Sequence, residues 1–548
     1  MKAQALANHL ILYFPLILLA CFLVYPVCAV IAGGIAAGFR TSPLQVLTSP
    51  ITLQALLFSA YQAALSTLLA VGLGLPGAYL LARLRFRGSS IVRAAMVVPF
   101  VLPPIVVVVG FLQMFGSFGF LDSLAMAVLG SQTSVLNLAT GTTGIVLAHA
   151  FYNVPLVVLM VSSSLERLNP DVEESAEILG ASPIRKMQRI VLPHILPALL
   201  ASATLTYLFC FTSFPIVLSL GGGAYSTLEV RIWYAFRGFD YSEASTLALV
   251  QILITVALAF SYFRLGRSRS YDASPTSSIK QFSIGELRGR YVVLALAYVA
   301  LLLVLVAGPI VAVVRAAIYD PVARVYTLEG FGSLISTGLG GGMVPLINSV
   351  FYAGISTVLA VILGVPLAYA NRNQNSTMSS ISSIATFLPL GVSAITLAYG
   401  LMLSVVVPLG LSVNPWPAIV LAQTMIGLPF SARSIEVALR NIDPALLDQA
   451  DLLGASRLQR LFFVEIPLLA PGILVGAVFA FAMAIGEMSA TLFIALPQNV
   501  TLAVAIYQNL SVRKFVQAGA ASLVLVVVCL VAFLAIERMT GRRLGGVL

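Results

Sequence analysis

Apolar residues run along this chain in stretches of twenty or more, separated by short polar connections. The hydrocarbon core of a bilayer takes about 20 helical residues to cross. Against that length the runs predict about twelve spans, at 9–34, 54–82, 91–116, 142–165, 195–219 and 244–265, then 290–315, 346–370, 380–407, 416–436, 469–495 and 517–537. Pro and Gly recur inside them, which membrane helices tolerate where neighbours satisfy the freed backbone groups. The pattern predicts an all-α polytopic membrane protein. Leu18-Leu19-Ala20-Cys21 has the form of a lipoprotein cleavage site, but the apolar run continues to Ile35, so the segment reads as the first span.

Composition agrees. Of 548 residues, 59% are hydrophobic and 9% charged, whereas soluble domains carry about 25% charged residues. The net charge of +10 does not indicate nucleic acid, because the basic residues sit between apolar spans instead of clustering on a polar domain. They report topology. Twelve spans put both termini on one side, and that side then holds 23 of the 30 Lys and Arg residues, with Arg83, Arg85, Arg87 and Arg93 the clearest group. By the positive-inside rule both termini are cytoplasmic. Cys21, Cys28, Cys210 and Cys529 lie in apolar stretches with no C-x-x-C pair, and His occurs only at 9, 149 and 194. They read as free thiols buried in helices, and no metal site or bound cofactor is expected.

The chain repeats itself. Ser66-Thr67-Leu68-Leu69-Ala70-Val71 recurs 290 residues later as Ser356-Thr357-Val358-Leu359-Ala360-Val361, and Pro76, Tyr79, Pro99 and Gly110 recur as Pro366, Tyr369, Pro389 and Gly400. Further on the spacing is 274: Pro155, Pro170, Gly180, Pro193, Pro197 and Thr227-Leu228 match Pro429, Pro444, Gly454, Pro467, Pro471 and Thr501-Leu502. The first copy is 16 residues longer between Gly110 and Pro155, a surplus that fits a loop near 116–141. Each copy holds six spans and starts on the same side, so the repeat is parallel. The expected division is a first half at 1–265, a Ser-rich charged linker at 266–289, and a second half at 290–548.

Each half has one long polar segment between its fourth and fifth spans. It reads Glu174-Ser175-Ala176-Glu177-Ile178-Leu179-Gly180-Ala181-Ser182-Pro183 in the first and Asp448-Gln449-Ala450-Asp451-Leu452-Leu453-Gly454-Ala455-Ser456 in the second. Asn169-Pro170 and Asp443-Pro444 are helix starts, a capping side chain followed by Pro at the first helical position. Gly180 and Gly454 end that helix. Ala-Ser opens a second short helix, and Pro193 and Pro467 mark entry to the membrane. Small residues at such a bend let another backbone approach. An ordinary amphipathic surface loop would also fit one copy; the same Gly-to-Pro spacing of 13 in both favours a docking surface.

These segments resemble the EAA loops of ABC importer permeases. The resemblance implies that Glu174, Ala176, Gly180, Ala181, Asp448, Ala450, Gly454 and Ala455 contact ATP-binding subunits, with Asp448 in place of the usual Glu, and Ser175 and Gln449 in place of the middle Ala. The chain has no G-x-x-x-x-G-K-[ST] phosphate loop. The resemblance therefore implies that ATP and Mg are used by a separate ATPase homodimer, and that this chain is not an enzyme. It also implies import across an inner membrane and delivery by an extracytoplasmic solute-binding protein, for which 220–243 and 496–516 are candidate contacts. The absence of docking loops would instead have suggested an ion-coupled secondary transporter.

The fused layout resembles thiamine and ferric-iron permeases. Phe211-Thr212-Ser213-Phe214-Pro215-Ile216-Val217-Leu218-Ser219-Leu220-Gly221-Gly222-Gly223, with Thr227-Leu228-Glu229 after it, looks like the thiamine type. Gly486-Glu487-Met488-Ser489-Ala490-Thr491-Leu492 looks more like the generic or ferric type. Thiamine or its phosphate esters is the preferred solute, ferric iron the alternative; both are cationic. Glu487 is the carboxylate placed inside a span, and Ser213 is its counterpart 274 residues earlier. A solute contact and a helix-packing hydrogen bond are both open for it. Tyr207, Phe211 and Phe214 offer aromatic faces to a ring-bearing cation, or pack against their neighbours.

Overall fold

The computed structural model describes residues 13–36, 42–85, 102–267, 289–321, 323, 325–335, 342–371 and 377–540, with Val92, Arg93, Met96, Pro99 and the pair Phe282–Ser283. Lys2, His9, Arg40, Arg87, Arg324, Arg372 and most of the linker 266–289 lie outside these residues. Nine helices carry the argument in the first repeat: α1 (Tyr13–Gly33), α2 (Pro50–Arg83), α3 (Pro104–Phe115), α4 (Gly141–Leu165), α5 (Pro170–Ile178), α6 (Pro183–Phe211), α7 (Pro215–Leu220), α8 (Leu228–Arg237) and α9 (Tyr241–Arg267). Their counterparts are α10 (Gly289–Ile318), α11 (Met343–Asn371), α12 (Ala394–Leu401), α13 (Trp416–Arg440), α14 (Pro444–Leu452), α15 (Leu458–Ile485), α16 (Ser489–Ile494), α17 (Leu502–Ser511) and α18 (Phe515–Thr540). Strands among the described residues amount to two pairings of two residues each.

Eleven described helices are long and apolar enough to cross a membrane; a twelfth forms if Ile381–Gly391 and Ala394–Val406 count as one span. That pair is bent by 97°, so the expected straight span at 380–407 is broken. Two more expected spans are corrected. The helices placed at 195–219 and 469–495 stop at Phe211 and Ile485, and short α7 and α16 follow each break. They also start earlier, at Pro183 and Leu458, because the predicted second short helix runs unbroken into the membrane span. A π turn makes this possible, at Met187–Val191 in one repeat and Leu461–Glu465 in the other. Pro193 and Pro467 lack an N–H and crowd the carbonyl four residues back; a widened turn relieves both without ending the helix.

The outward faces are apolar: Leu57, Leu68, Leu253 and Val311 are 65–70% exposed, as side chains meeting lipid tails are. Cys21 and Cys28 are also exposed, contrary to the expectation for them, while Cys210 and Cys529 are buried. The longer first copy is explained by a helix at Phe120–Leu129. Buried Asp122 holds it by accepting hydrogen bonds from the backbone of Phe118, Val135 and Leu136 at 2.7–2.8 Å.

The chain divides into two compact units that do not follow its order. One comprises 1–47, 232–252 and 328–548; the other 48–231 and 253–327. The first helix of each repeat thus packs among helices of the other. In one unit α10 lies on α3, where a Cβ on Gly110 would fall 2.3 Å from the Pro309 carbonyl oxygen. In the other, α1 lies on α12, where a Cβ on Gly400 would fall 2.5 Å from the Pro26 carbonyl oxygen. Gly110 and Gly400 are repeat equivalents, so each marks a backbone-to-backbone approach that only Gly allows.

Valine at Gly110 or Gly400 should therefore lower thermal stability in detergent markedly, by about 1–3 kcal/mol or more each. Gly354→Ala, where a Cβ meets nothing within 4 Å, should not; equal melting temperatures across the three variants would contradict this packing.

Candidate functional site

The two polar segments fold alike down to individual hydrogen bonds. Asn169 and Asp443 cap α5 and α14, their side chains accepting from the N–H of Asp171 and Ala445 at 2.9 Å, and Pro170 and Pro444 occupy the first helical position. Gly180 and Gly454 end these helices with φ of +76° and +81°. Around each Gly the same two bonds close a Schellman motif. Gly180 N–H donates to Glu177 O and Ala181 N–H to Ala176 O; Gly454 N–H donates to Asp451 O and Ala455 N–H to Ala450 O. Ser182 and Ser456 then cap the second leg.

The nominated residues divide by role. Glu174, Gly180, Asp448 and Gly454 are exposed, Ala176, Ala181 and Ala455 half-buried, and Ala450 buried. The alanines shape the turn, while the surface itself holds residues that the sequence reading passed over. Ile178 and Leu179 are 86% and 85% exposed, and Leu452 and Leu453 are 86% and 89% exposed. Two adjacent apolar side chains standing free on an otherwise polar turn, in both repeats, form a surface made for contact. Their signal was in the sequence: an apolar pair directly before each Gly, at the repeat spacing. A clamp across the legs also repeats. Lys186 meets Glu177 at 2.6 Å and Arg460 meets Asp451 at 2.5 Å, again 274 residues apart.

The proposed path residues belong to both units. Tyr207 and Phe211 stack on α6 with ring centroids 6.1 Å apart. Phe211 and Phe214 are almost fully buried, and Ser213 sits half-buried in the break before α7. Glu487 belongs to the other unit. Its carboxylate is buried and accepts from the N–H of Ala490 and Thr491 at 2.7 and 2.9 Å, and from Thr491 Oγ1 at 2.7 Å. It caps α16 by accepting from the first N–H groups of that helix. A second aromatic group that the sequence did not single out lies in that unit, where the Phe236 ring is tilted on Phe493 at 4.1 Å and meets Tyr399 edge to face at 5.3 Å. Tyr399 is further held by a 3.0 Å hydrogen bond between its hydroxyl and Ser245.

The family model for the binding-protein-dependent transport system inner membrane component matches residues 70–270 and 360–544, one match in each repeat. The chain belongs to this family. The permease is 27% identical over 494 residues to the thiamine transport system permease protein of Salmonella typhimurium, covering 88% of each chain. It is 25% identical over 500 residues to a putative ferric transport system permease protein of Haemophilus influenzae, covering 87% of this chain and 76% of the relative. The ferric transport system permease protein of Actinobacillus pleuropneumoniae is 25% identical over 508 residues, covering 87% and 70%. The family description makes the permease a membrane component that works with a binding protein, and its apolar helices make it multi-pass.

Glu487→Ala should destabilise the permease by about 1–3 kcal/mol, because it strands two buried N–H donors. Glu487→Gln, which keeps an acceptor oxygen, should lose less. A Glu487→Ala variant with unchanged thermal stability and a raised KM for uptake would instead mark the carboxylate as a solute contact.

Proposed function

We propose that the permease is the membrane-spanning part of an importer driven by ATP hydrolysed on a separate pair of identical subunits, one seated on each matched turn. The observation that carries this reading is the duplicated turn itself. Two Schellman bends with identical bonding each present an exposed apolar pair, Ile178-Leu179 and Leu452-Leu453, beside a Gly whose positive φ keeps the backbone open. Two equal docking surfaces fit two equal partners. Glu174, Ala176, Gly180, Ala181, Asp448, Ala450, Gly454 and Ala455 build these surfaces. The phosphate loop missing from the chain supports a partner that supplies ATP chemistry. The excess of Lys and Arg on the side of the turns supports cytoplasmic termini.

For the solute we propose thiamine or its phosphate esters, brought by an extracytoplasmic binding protein. The thiamine-like run from Phe211 through Glu229 and the thiamine permease among the relatives support it. Ferric iron is the second reading, favoured by the Gly486–Leu492 run and by the ferric permeases among the relatives.

Replacing Gly180 and Gly454 together by Val should abolish transport while the protein still reaches the membrane. A Cβ meets nothing at either position, so the cost is the left-handed backbone, about 1–2 kcal/mol for each residue, and the bulk set into the docking surface. Full transport by the double variant would sink the docking assignment. In vesicles holding permease, ATPase and binding protein, thiamine should accumulate; accumulation of ferric ion alone would replace thiamine with iron.

A further inference from the structure

The two matched turns are fastened to the membrane helices by different means. In the first repeat Arg83, the last residue of α2, meets Glu173 in the first turn of α5 at 2.6 Å. Both side chains are nearly closed off, at 3% and 7% exposure. Charges removed from water this completely are tolerated only while they remain paired. The pair therefore holds only as long as α5 lies against the end of α2. Glu173 immediately precedes Glu174, so the tie reaches the docking element at its root.

The second repeat has no such charge pair at these positions. Leu447 stands at the position equivalent to Glu173, and Asn373 at the one equivalent to Arg83. Leu447 packs with Leu439, Ile442 and Leu469, against Tyr369 of α11 and Val464. The Tyr369 hydroxyl donates to buried Glu465, which also receives Arg460 at 2.9 Å. Val191 occupies the position equivalent to Glu465. One turn is bolted to its membrane helix by a single buried ion pair; the other is held by apolar packing and a Tyr–Glu–Arg chain.

We propose that Arg83 and Glu173 are positioning residues that carry the movement of α5 into membrane helix α2. This rests on the reading of α5 as an ATPase-docking helix. Breaking the pair loosens this link without touching the exposed end of the turn, so ATP turnover continues while transport per ATP falls.

The test uses the assembled importer in vesicles, with thiamine and ferric ion assayed in parallel and ATP hydrolysis measured on the same preparation. Variants are Arg83→Met, Glu173→Gln, Glu173→Leu and the double Arg83→Met/Glu173→Leu, which imitates Leu447. The single variants should co-purify with the ATPase subunit and hydrolyse ATP as the wild type does, while solute moved per ATP drops about tenfold. The apolar double should regain most of that ratio, and Glu173→Gln, which keeps an oxygen for Arg83, should fall between. Singles that keep the wild-type ratio overturn the proposal. So do singles that lose uptake and hydrolysis in equal proportion, which marks the pair as support for the fold alone, and so does a double variant as uncoupled as its parents. If the wild-type permease itself fails to bind an ATPase subunit, it is the docking reading that falls, and that result is visible separately.

Discussion

Where a helix stops inside or beside a bilayer, its last carbonyls and first N–H groups have no water to turn to, and the chain must supply their partners. Most of the informative features of this permease are answers to that demand. Glu487 caps α16 from within the break that precedes it. The first turns of α8 and α17 are satisfied from a distance: buried Ser59 accepts from Leu228 N–H at 2.9 Å, and its equivalent Ser349 accepts from Leu502 N–H at 2.7 Å. The Schellman bonds at Gly180 and Gly454 close α5 and α14. Pro193 and Pro467 are accommodated by π turns that keep the ladder intact up to the Pro. Each device occurs at repeat-equivalent positions except Glu487, whose equivalent is Ser213.

What was legible in the sequence was what local chemistry dictates. Span count follows from the length of apolar runs, and Asn-Pro, Asp-Pro and the two glycines fix α5 and α14 because caps and left-handed residues act within a turn. The repeat was legible because matched Pro and Gly positions are hard to place by chance. What was not legible depends on partners distant in the chain. An apolar run does not say where it will break, so the ends at Phe211 and Ile485 were overrun. It does not name its neighbours either, so nothing in α1 or α10 announced that each would pack with the other repeat. Arg83 and Glu173 read as two ordinary charges in polar connections; only folding makes them a buried pair. The exposed apolar pairs before Gly180 and Gly454 were visible, but in so apolar a chain their exposure was not.

The structure also separates what the repeats share from what they do not. They share the bend, its caps and its clamp, where a symmetric partner would press on both. They differ in how that bend is rooted, through Arg83 and Glu173 in one and through Leu447, Tyr369 and Glu465 in the other. They differ again at the break after the fifth long helix, where Ser213 and Glu487 correspond. A duplicated chain inherits identical anchors and is then free to vary each one. Variation is least constrained where the surface faces no shared partner.

The exchange of first helices sets an order on how the chain is made. Helix α1 leaves the ribosome before any of the second repeat, and the backbone it packs on, at Gly400, is synthesised more than 370 residues after Pro26. At the usual pace of translation that is a wait of roughly 20 s to more than a minute. During that time α1 sits in lipid with its own repeat already inserted and its docking groove not yet in existence. Neither compact unit can be finished from one repeat alone, and the unit that holds α1 waits for the helices of the second repeat.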